Sequence, residues 1–175
     1  MNDMAWCCGF PGEPSQLREV RRRVGTLLEN CPIRDDVISC MVELAANAIT
    51  HTKSFGGVFT VGIWLLRARA RIAVKDAGGP GEPVVRPSCQ EEMAEGGRGL
   101  AIVAALSARL GVAGDERGRV VWADLTWGVG DPARPGQPSS APSWMSVCGE
   151  CWGFGTETAH APSSAAILAS GVCCG

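Results

Sequence analysis

ELAANAITHT, residues 43–52, is a predicted helical segment in which the polar Glu43 and Asn47 stand among apolar residues, and it is the most informative part of this sequence. Glu43 and Asn47 are four residues apart, so on a helix they share one face. An acidic pair at residues 35–36 favours a helix N-terminus, and an apolar stripe follows over residues 37–49. A carboxylate and an amide at this spacing can hold a hard cation or position a nucleophile; the polar edge of an ordinary amphipathic helix is the alternative.

The segments around this helix predict one small α/β domain. The predicted elements are a helix over residues 15–28, the helix over 35–49, strands over 57–65 and 71–75, a long loop over 77–97, a helix over 99–110 and a strand over 120–125. Repeated βαβ units are absent from this order. We therefore expect an α/β fold, a two-layer sandwich with the helices on one face of a mixed, mostly antiparallel sheet.

A second polar signal lies at the end of the predicted strand in IAVKDAGGPG, residues 72–81. Asp76 at a strand end can accept a hydrogen bond from an exocyclic amine such as that of adenine. Gly78 permits a close backbone approach that a side chain would block. The alternative is an aspartate that only forms a turn.

A third signal is EGGRGLAIV, residues 95–103, in which glycines precede a helix. Backbone amides at a helix N-terminus that no side chain shields form a phosphate site. A glycine-rich turn without a ligand is the alternative, because the motif alone is weak.

In their order along the chain, the three segments resemble the motifs of the GHKL ATPases, the superfamily that includes histidine kinases and DNA gyrase. Residues 43–48 resemble the N box, residues 76–81 the first glycine box and residues 97–100 the second. The compact size and the closing VVWADL, residues 120–125, are most similar to bacterial anti-sigma-factor serine kinases and their stand-alone relatives. The sequence departs from the pattern at Pro80, where the first glycine box has its second glycine.

The resemblance implies a role for each matching position. Asn47 would coordinate Mg²⁺ that bridges the ATP phosphates, and Glu43 would act as the catalytic residue that orients or deprotonates the attacking hydroxyl. Asp76 would bind adenine, and Gly78 would let the base approach. The phosphate-binding positions would be Gly97, Arg98, Gly99 and Leu100. Arg98 either contacts a phosphate or faces solvent.

The resemblance also implies a function and partners. It indicates an ATP-dependent serine/threonine protein kinase that binds a sigma factor and phosphorylates an antagonist protein in a partner-switching system, with a homodimer as a possible assembly. The alternative is an ATP-gated protein-binding module with little or no phosphoryl transfer.

Composition excludes several classes of function. A net charge of -2 with 19% charged residues gives no basic field for direct nucleic-acid binding. No stretch approaches the roughly 20 apolar residues of a membrane-spanning helix, and the N-terminus lacks a secretion signal. We therefore expect a cytoplasmic protein without membrane contact.

A change of composition after Trp127 predicts the domain boundaries. We expect an N-terminal extension over residues 1–14, the ATP-binding domain over 15–127 and a disordered, cysteine-containing tail over 128–175.

Nine cysteines without a secretion signal predict mostly reduced thiols. In the tail, the residues that could bind a metal are Cys148, Cys151, Cys173, Cys174 and His160. Zinc binding, a redox response and cysteines without a function remain open for this tail.

Overall fold

The computed structural model describes residues 4–80 and 99–128. Its elements are β1 (Met4–Pro11), α1 (Gln16–Leu27), α2 (Arg34–His51), β2 (Val58–Leu66), β3 (Arg69–Asp76), α3 (Gly99–Leu106), β4 (Arg109–Asp115) and β5 (Gly118–Thr126). The strands form one sheet in the order β1-β2-β3-β5-β4, and each neighbouring pair is antiparallel. The predicted α/β sandwich is thereby confirmed, and all the strand pairs described are antiparallel.

One face of the sheet packs against the helices and forms the main hydrophobic core. Alternation along β2 sends Phe59, Val61 and Ile63 into this core, where each is almost completely buried. The central helix α2 contacts β2, β3, α1 and α3. The polar residues of α2 are therefore held on a helix whose position the core fixes.

The opposite face of the sheet, here called the outer face, has its own small cluster. Trp64, Ala73 and Val120 are buried in it, and Trp122 packs against them. Beside them the Asp124 carboxylate accepts two hydrogen bonds from the Arg71 guanidinium, at 2.5 and 2.6 Å. Such a two-point pair fixes the alignment of β3 with β5 as well as joining opposite charges.

The sequence pattern missed the strand β1, which lies within the predicted N-terminal extension. Its residues show no simple apolar and polar alternation, yet β1 pairs with β2 along its whole length. Phe10 stacks on Phe59 with ring centroids 5.6 Å apart, which anchors β1 to the core. The extension therefore contributes an edge strand to the sheet.

The predicted helix end at residue 110 is wrong, because α3 ends at Leu106 and β4 begins at Arg109. The apolar run continues through Leu110, so it gave no signal for the change of structure. Pairing with β5 makes this segment a strand. The Ala108 N–H donates a hydrogen bond to the Asp124 carbonyl at 2.8 Å, and the residues of β4 then pair with β5.

The expectation of reduced thiols holds for Cys8, Cys31 and Cys40, which are buried and are not disulfide-bonded. It fails for Cys7, which is disulfide-bonded. Successive side chains of a strand point to opposite faces, so Cys8 enters the core while Cys7 lies on the outer face. Adjacent cysteines on a strand therefore have separate environments.

Most of the predicted loop over residues 77–97 and of the tail over 128–175 lies outside the described residues. None of the described helices combines the length and the apolar character that a bilayer crossing requires.

We expect Leu44→Ala to lower the free energy of unfolding by about 2 to 5 kcal/mol, because it leaves a cavity under α2. Leu44 is 1% exposed, whereas Leu106 on α3 is 38% exposed, so Leu106→Ala is the control and should cost less than about 1 kcal/mol. Urea denaturation measures both. Equal losses would contradict the placement of α2 at the centre of the core.

Candidate functional site

The first part of the site is a tight turn at the end of β3. Asp76 is only 5% exposed, and its Oδ1 accepts a hydrogen bond of 2.7 Å from the Gly78 N–H. The Ala77 N–H, between Asp76 and Gly78, donates a hydrogen bond to the buried Ser54 hydroxyl at 2.9 Å. These bonds fix the orientation of the Asp76 carboxylate.

Gly78 and Gly79 join this turn to three other segments. Gly78 has a φ of 71°, and an added Cβ would overlap the Glu116 carbonyl in the turn between β4 and β5. The Gly78 carbonyl accepts a hydrogen bond from the Lys53 N–H at 2.8 Å. The Gly79 carbonyl accepts one from Arg119 Nη2, also at 2.8 Å. Glycine at position 78 is thus required by both conformation and space.

The charge of Asp76 is held in a nearly dry environment. Burial raises the pKa of Asp76 above its ordinary range, while the Gly78 hydrogen bond and the positive charge of Arg119 partly oppose this rise. Arg119 is itself buried and lies opposite Asp76 in the β3–β5 register. An acceptor in such surroundings gains more from a matching donor than one in water does.

The second part of the site lies where α2 meets α3. Glu43 and Asn47 are one turn apart on α2, and both are half-buried. Gly99 is the first residue of α3, and a Cβ added there would lie 2.5 Å from Glu43 Oε2. The Glu43 carboxylate therefore approaches the N-terminus of α3 as closely as a glycine allows.

The helix α2 connects the two parts. Its last residue, His51, has its carbonyl against Gly79, since a Cβ added at Gly79 would lie 3.2 Å from that oxygen. Glu43, which contacts Gly99, lies eight residues before His51 on α2. This separation is about 12 Å along the helix axis. One rigid helix thus spaces the Asp76 turn from the start of α3.

The predicted site residues are placed as follows. Glu43, Asn47, Asp76, Gly78, Gly99 and Leu100 lie among the described residues, and Gly97 and Arg98 lie outside them. Leu100 packs partly buried against the core, so it anchors α3. The structure brings Glu43 to Gly99 and Asp76 to Gly78.

Sequence reasoning missed Ser54 and Arg119, which support the Asp76 turn. Arg119 carried a signal, because it shares the inward side of β5 with the apolar residues Val121 and Ala123. A buried charge on an apolar face needs a partner, and Gly79 and Asp76 supply it. Ser54 gave no signal, since a serine after a helix is common in loops.

The oxygen donors of the site suit a cation that arrives with a ligand. Within residues 4–80 and 99–128, no group of three or more His, Cys, Asp or Glu side chains could hold a metal ion. Mg²⁺ usually takes only one or two protein oxygens and completes its shell with phosphates and water. The Asn47 amide can supply such an oxygen, so the site fits Mg²⁺ carried by a nucleotide.

The buried thiol of Cys40, one turn before Glu43, does not add a nucleophile to the site. Burial raises the pKa of Cys40 to about 11, and the charges of Asp36 and Glu43 act in the same direction. Since the thiolate is the reactive form, Cys40 is an inert core side chain at neutral pH.

Gly78→Ala should destabilise the protein more than Gly56→Ala does. Both glycines have a positive φ, 71° and 70°, so both substitutions carry a backbone strain of about 1 to 3 kcal/mol. Only the Cβ at position 78 meets other atoms, because the space around Gly56 is open. Urea denaturation of both variants isolates this overlap, and equal losses would contradict the close packing of Gly78 on the Glu116 carbonyl.

Asp76→Asn should leave the nucleotide-free protein at least as stable as the parent at pH 7. The pKa of Asp76 is higher in the folded protein than its ordinary value of 3.8. The protonated carboxyl group therefore stabilises the fold fully below pH 3.8, and this stabilisation is lost as pH rises through the folded pKa. The advantage of the variant should therefore shrink as pH falls to about 4.

Denaturant unfolding at several pH values tests this expectation. The exposed Asp115 accepts a similar hydrogen bond, from the Arg117 N–H at 2.8 Å, so Asp115→Asn is the matched control and should show no such gain. A large loss of stability in Asp76→Asn at pH 7 would contradict the electrostatic description.

Comparisons with known proteins identify the family and the fold. The family described as "Histidine kinase-like ATPase domain" matches residues 10–125. No curated protein matches the chain significantly.

Among solved structures, 12 chains match. One contains the RsbU and RsbW domains of Rv1364c from Mycobacterium tuberculosis, with a TM-score of 0.54, 16% identity, and coverage of 70% of this chain and 32% of that chain. The chain spans about a third of that structure, and at this identity the likeness shows the fold alone. The family match covers more than half of the chain, and this chain therefore belongs to the histidine kinase-like ATPase domain family.

Proposed function

We propose that this chain is an ATP-binding regulatory protein that transfers the γ-phosphoryl group of ATP to a serine or threonine hydroxyl of a partner protein. The observation that carries the proposal is the arrangement of α2, which presents Glu43 to the start of α3 and ends against the turn of Asp76. A nucleotide along this helix would have its base at one end and its phosphates at the other.

Asp76 would bind the adenine. Its carboxylate is oriented by the Gly78 N–H and is almost removed from water, which suits an acceptor for the exocyclic amine. Gly78 has no side chain to block the base, and Arg119 holds the following carbonyl in place. The base would therefore meet a prearranged turn, which limits the entropy lost on binding.

The phosphates would bind at the N-terminus of α3, where backbone amides without an intrahelical partner favour anions. Gly99 opens this helix, and Gly97 and Arg98 precede it in the sequence. Asn47 would hold Mg²⁺ through its amide oxygen together with the phosphates. The ion would supply charge neutralisation during transfer.

Glu43 would orient the attacking hydroxyl and accept its proton. The hydroxyl oxygen forms the new bond to the γ-phosphorus, the bond to the β–γ bridging oxygen breaks, and ADP leaves. Glu43 is suited to this role because its carboxylate lies against the start of α3, next to the proposed phosphate site. Phosphoryl transfer depends chiefly on such positioning.

The regulatory part of the proposal is a partner-switching role in the cytoplasm. We propose that the chain binds a sigma factor and phosphorylates an antagonist of that interaction, and that it acts alone or as a homodimer. The shared fold with a structure that contains an RsbW domain supports this choice.

An ATP-gated binding module is the second candidate, and Pro80 favours it. Pro80 stands where the first glycine box has its second glycine and lies directly after the Asp76 turn. Such a module would capture its partner in the presence of ATP and transfer no phosphate.

Glu43→Gln should reduce phosphoryl transfer about 10²- to 10⁴-fold, the usual range for loss of a general base, and should leave ATP binding nearly unchanged. Incubation with Mg²⁺, labelled ATP and candidate antagonist proteins measures the transfer. The exposed Glu29 lies before α2, so Glu29→Gln is the control and should transfer normally.

Undiminished transfer by Glu43→Gln would contradict the assigned role of Glu43. ATP-dependent capture of a partner by the unmutated protein, without any transfer, would favour the binding module instead.

A further inference from the structure

The strand β4 forms one edge of the described sheet. The strands follow the order β1-β2-β3-β5-β4, and among the described residues β4 pairs only with β5. About half of the backbone N–H and C=O groups of an edge strand point away from its neighbour and can pair with a further strand. Proteins usually protect such an edge with proline or lysine, and β4, which reads RLGVAGD, contains neither. This edge is therefore suited to pairing with another strand.

The helix side of this edge is apolar and exposed. The described residues include five large hydrophobic side chains that are exposed, and three of them belong to α3 and β4: Ile102 at 40%, Leu106 at 38% and Val112 at 46%. Ile102 and Leu106 are one turn apart on α3, which contacts β4. Burial of this apolar surface would favour association with another surface.

The side chains of β4 alternate between the two faces of the sheet. A Cβ added at Gly111 would overlap the Trp122 ring on the outer face, whereas Leu110 packs against the main core. The odd-numbered residues of β4 therefore lie on the outer face, and the even-numbered residues face the helices. The two charged residues of β4, Arg109 and Asp115, are its first and last residues, so they share the outer face.

A second copy of β4 matches this strand. In an antiparallel pair of β4 strands centred on Val112, Arg109 of each copy lies opposite Asp115 of the other. Side chains that are directly opposite project on the same face, so both pairs join opposite charges on the outer face. The two Val112 side chains meet on the side of the sheet where α3 lies. One two-fold arrangement thus matches both the charges and the apolar side chains.

The other edge strand, β1, does not offer this match. It reads MAWCCGFP, so it has no charged residue and ends at Pro11. Pairing of two β1 strands would therefore lack the charge match that could set their register. Self-association of the chain is better supported at β4.

We propose that two copies of this chain associate through β4, with the two strands antiparallel and centred on Val112, so that the two sheets join edge to edge. The exposed apolar residues of both α3 helices adjoin this interface. The proposed function allows a homodimer but names no interface, and association through β4 requires neither ATP nor phosphoryl transfer.

Charge reversal at the two ends of β4 tests this interface. Arg109→Asp would place two aspartates opposite each other in both pairs, and Asp115→Arg would place two arginines there. Each single variant should weaken self-association by about tenfold or more, because both pairs change from attraction to repulsion. Sedimentation equilibrium of the full chain without nucleotide, over a range of protein concentrations, measures the dissociation constant of the dimer.

A mixture of the two single variants tests whether the two positions face each other. In a dimer of one Arg109→Asp chain and one Asp115→Arg chain, both pairs again join opposite charges. The mixture should therefore form a heterodimer with nearly the affinity of the parent homodimer. The matched controls are Arg18→Asp and Glu29→Arg, which reverse exposed charges outside β4, and each should dimerise as the parent does. Circular dichroism verifies that every variant is folded.

Hydrogen exchange locates the interface in the unmutated protein. The backbone amides of residues 109–115 should exchange more slowly at high than at low protein concentration, because pairing with a second β4 protects them. A parent that stays monomeric at every concentration, a dimer that both reversals leave unchanged, or a mixture that gains no affinity would each overturn the proposal. Because no nucleotide is present, these outcomes are separate from those of the phosphoryl-transfer assay.

Discussion

Packing of α2 against β2 and β3 is the interaction on which the remaining structure depends. The apolar side of this helix is buried in the core, and its polar residues Glu43 and Asn47 are half-buried. Glu43 lies against the first residue of α3, and the last residue of α2 lies against Gly79. Because one helix sets both contacts, the separation between the Asp76 turn and the start of α3 is fixed by helix geometry rather than by flexible loops.

The turn at Asp76 contains a buried carboxylate, and the burial of its charge is unfavourable. A carboxylate that is 5% exposed would be unfavourable alone, and a backbone amide and the nearby Arg119 only partly compensate. Lys53 and Ser54, which follow α2, and Glu116, in the turn between β4 and β5, contact the surrounding backbone from two different segments. Such convergence on a desolvated acceptor is typical of binding sites, where a ligand donor supplies the missing compensation.

The sequence predicted the helices, the hairpin, the last strand and the candidate residues because each has a local signal. Period 3.6 marks α2, alternation marks β2, and glycines mark the segments around Asp76 and Gly99. The strands β1 and β4 escaped prediction because pairing with a distant strand, rather than local pattern, creates them. Arg119 and Ser54 were missed for a similar reason, since their partners are remote in sequence. The disulfide at Cys7 depends on the face of the sheet to which its side chain points. The sequence shows only that Cys7 and Cys8 are adjacent, so it did not predict this disulfide.

The most direct test of the nucleotide site is a calorimetric titration of the unmutated protein with ATP, with and without Mg²⁺, beside the same titration of Asp76→Asn. We predict saturable binding that Mg²⁺ strengthens and that Asp76→Asn weakens by about tenfold or more, because the amide nitrogen cannot accept the hydrogen bond of the adenine amine. Absence of ATP binding by the unmutated protein, or equal binding by Asp76→Asn, would contradict the account.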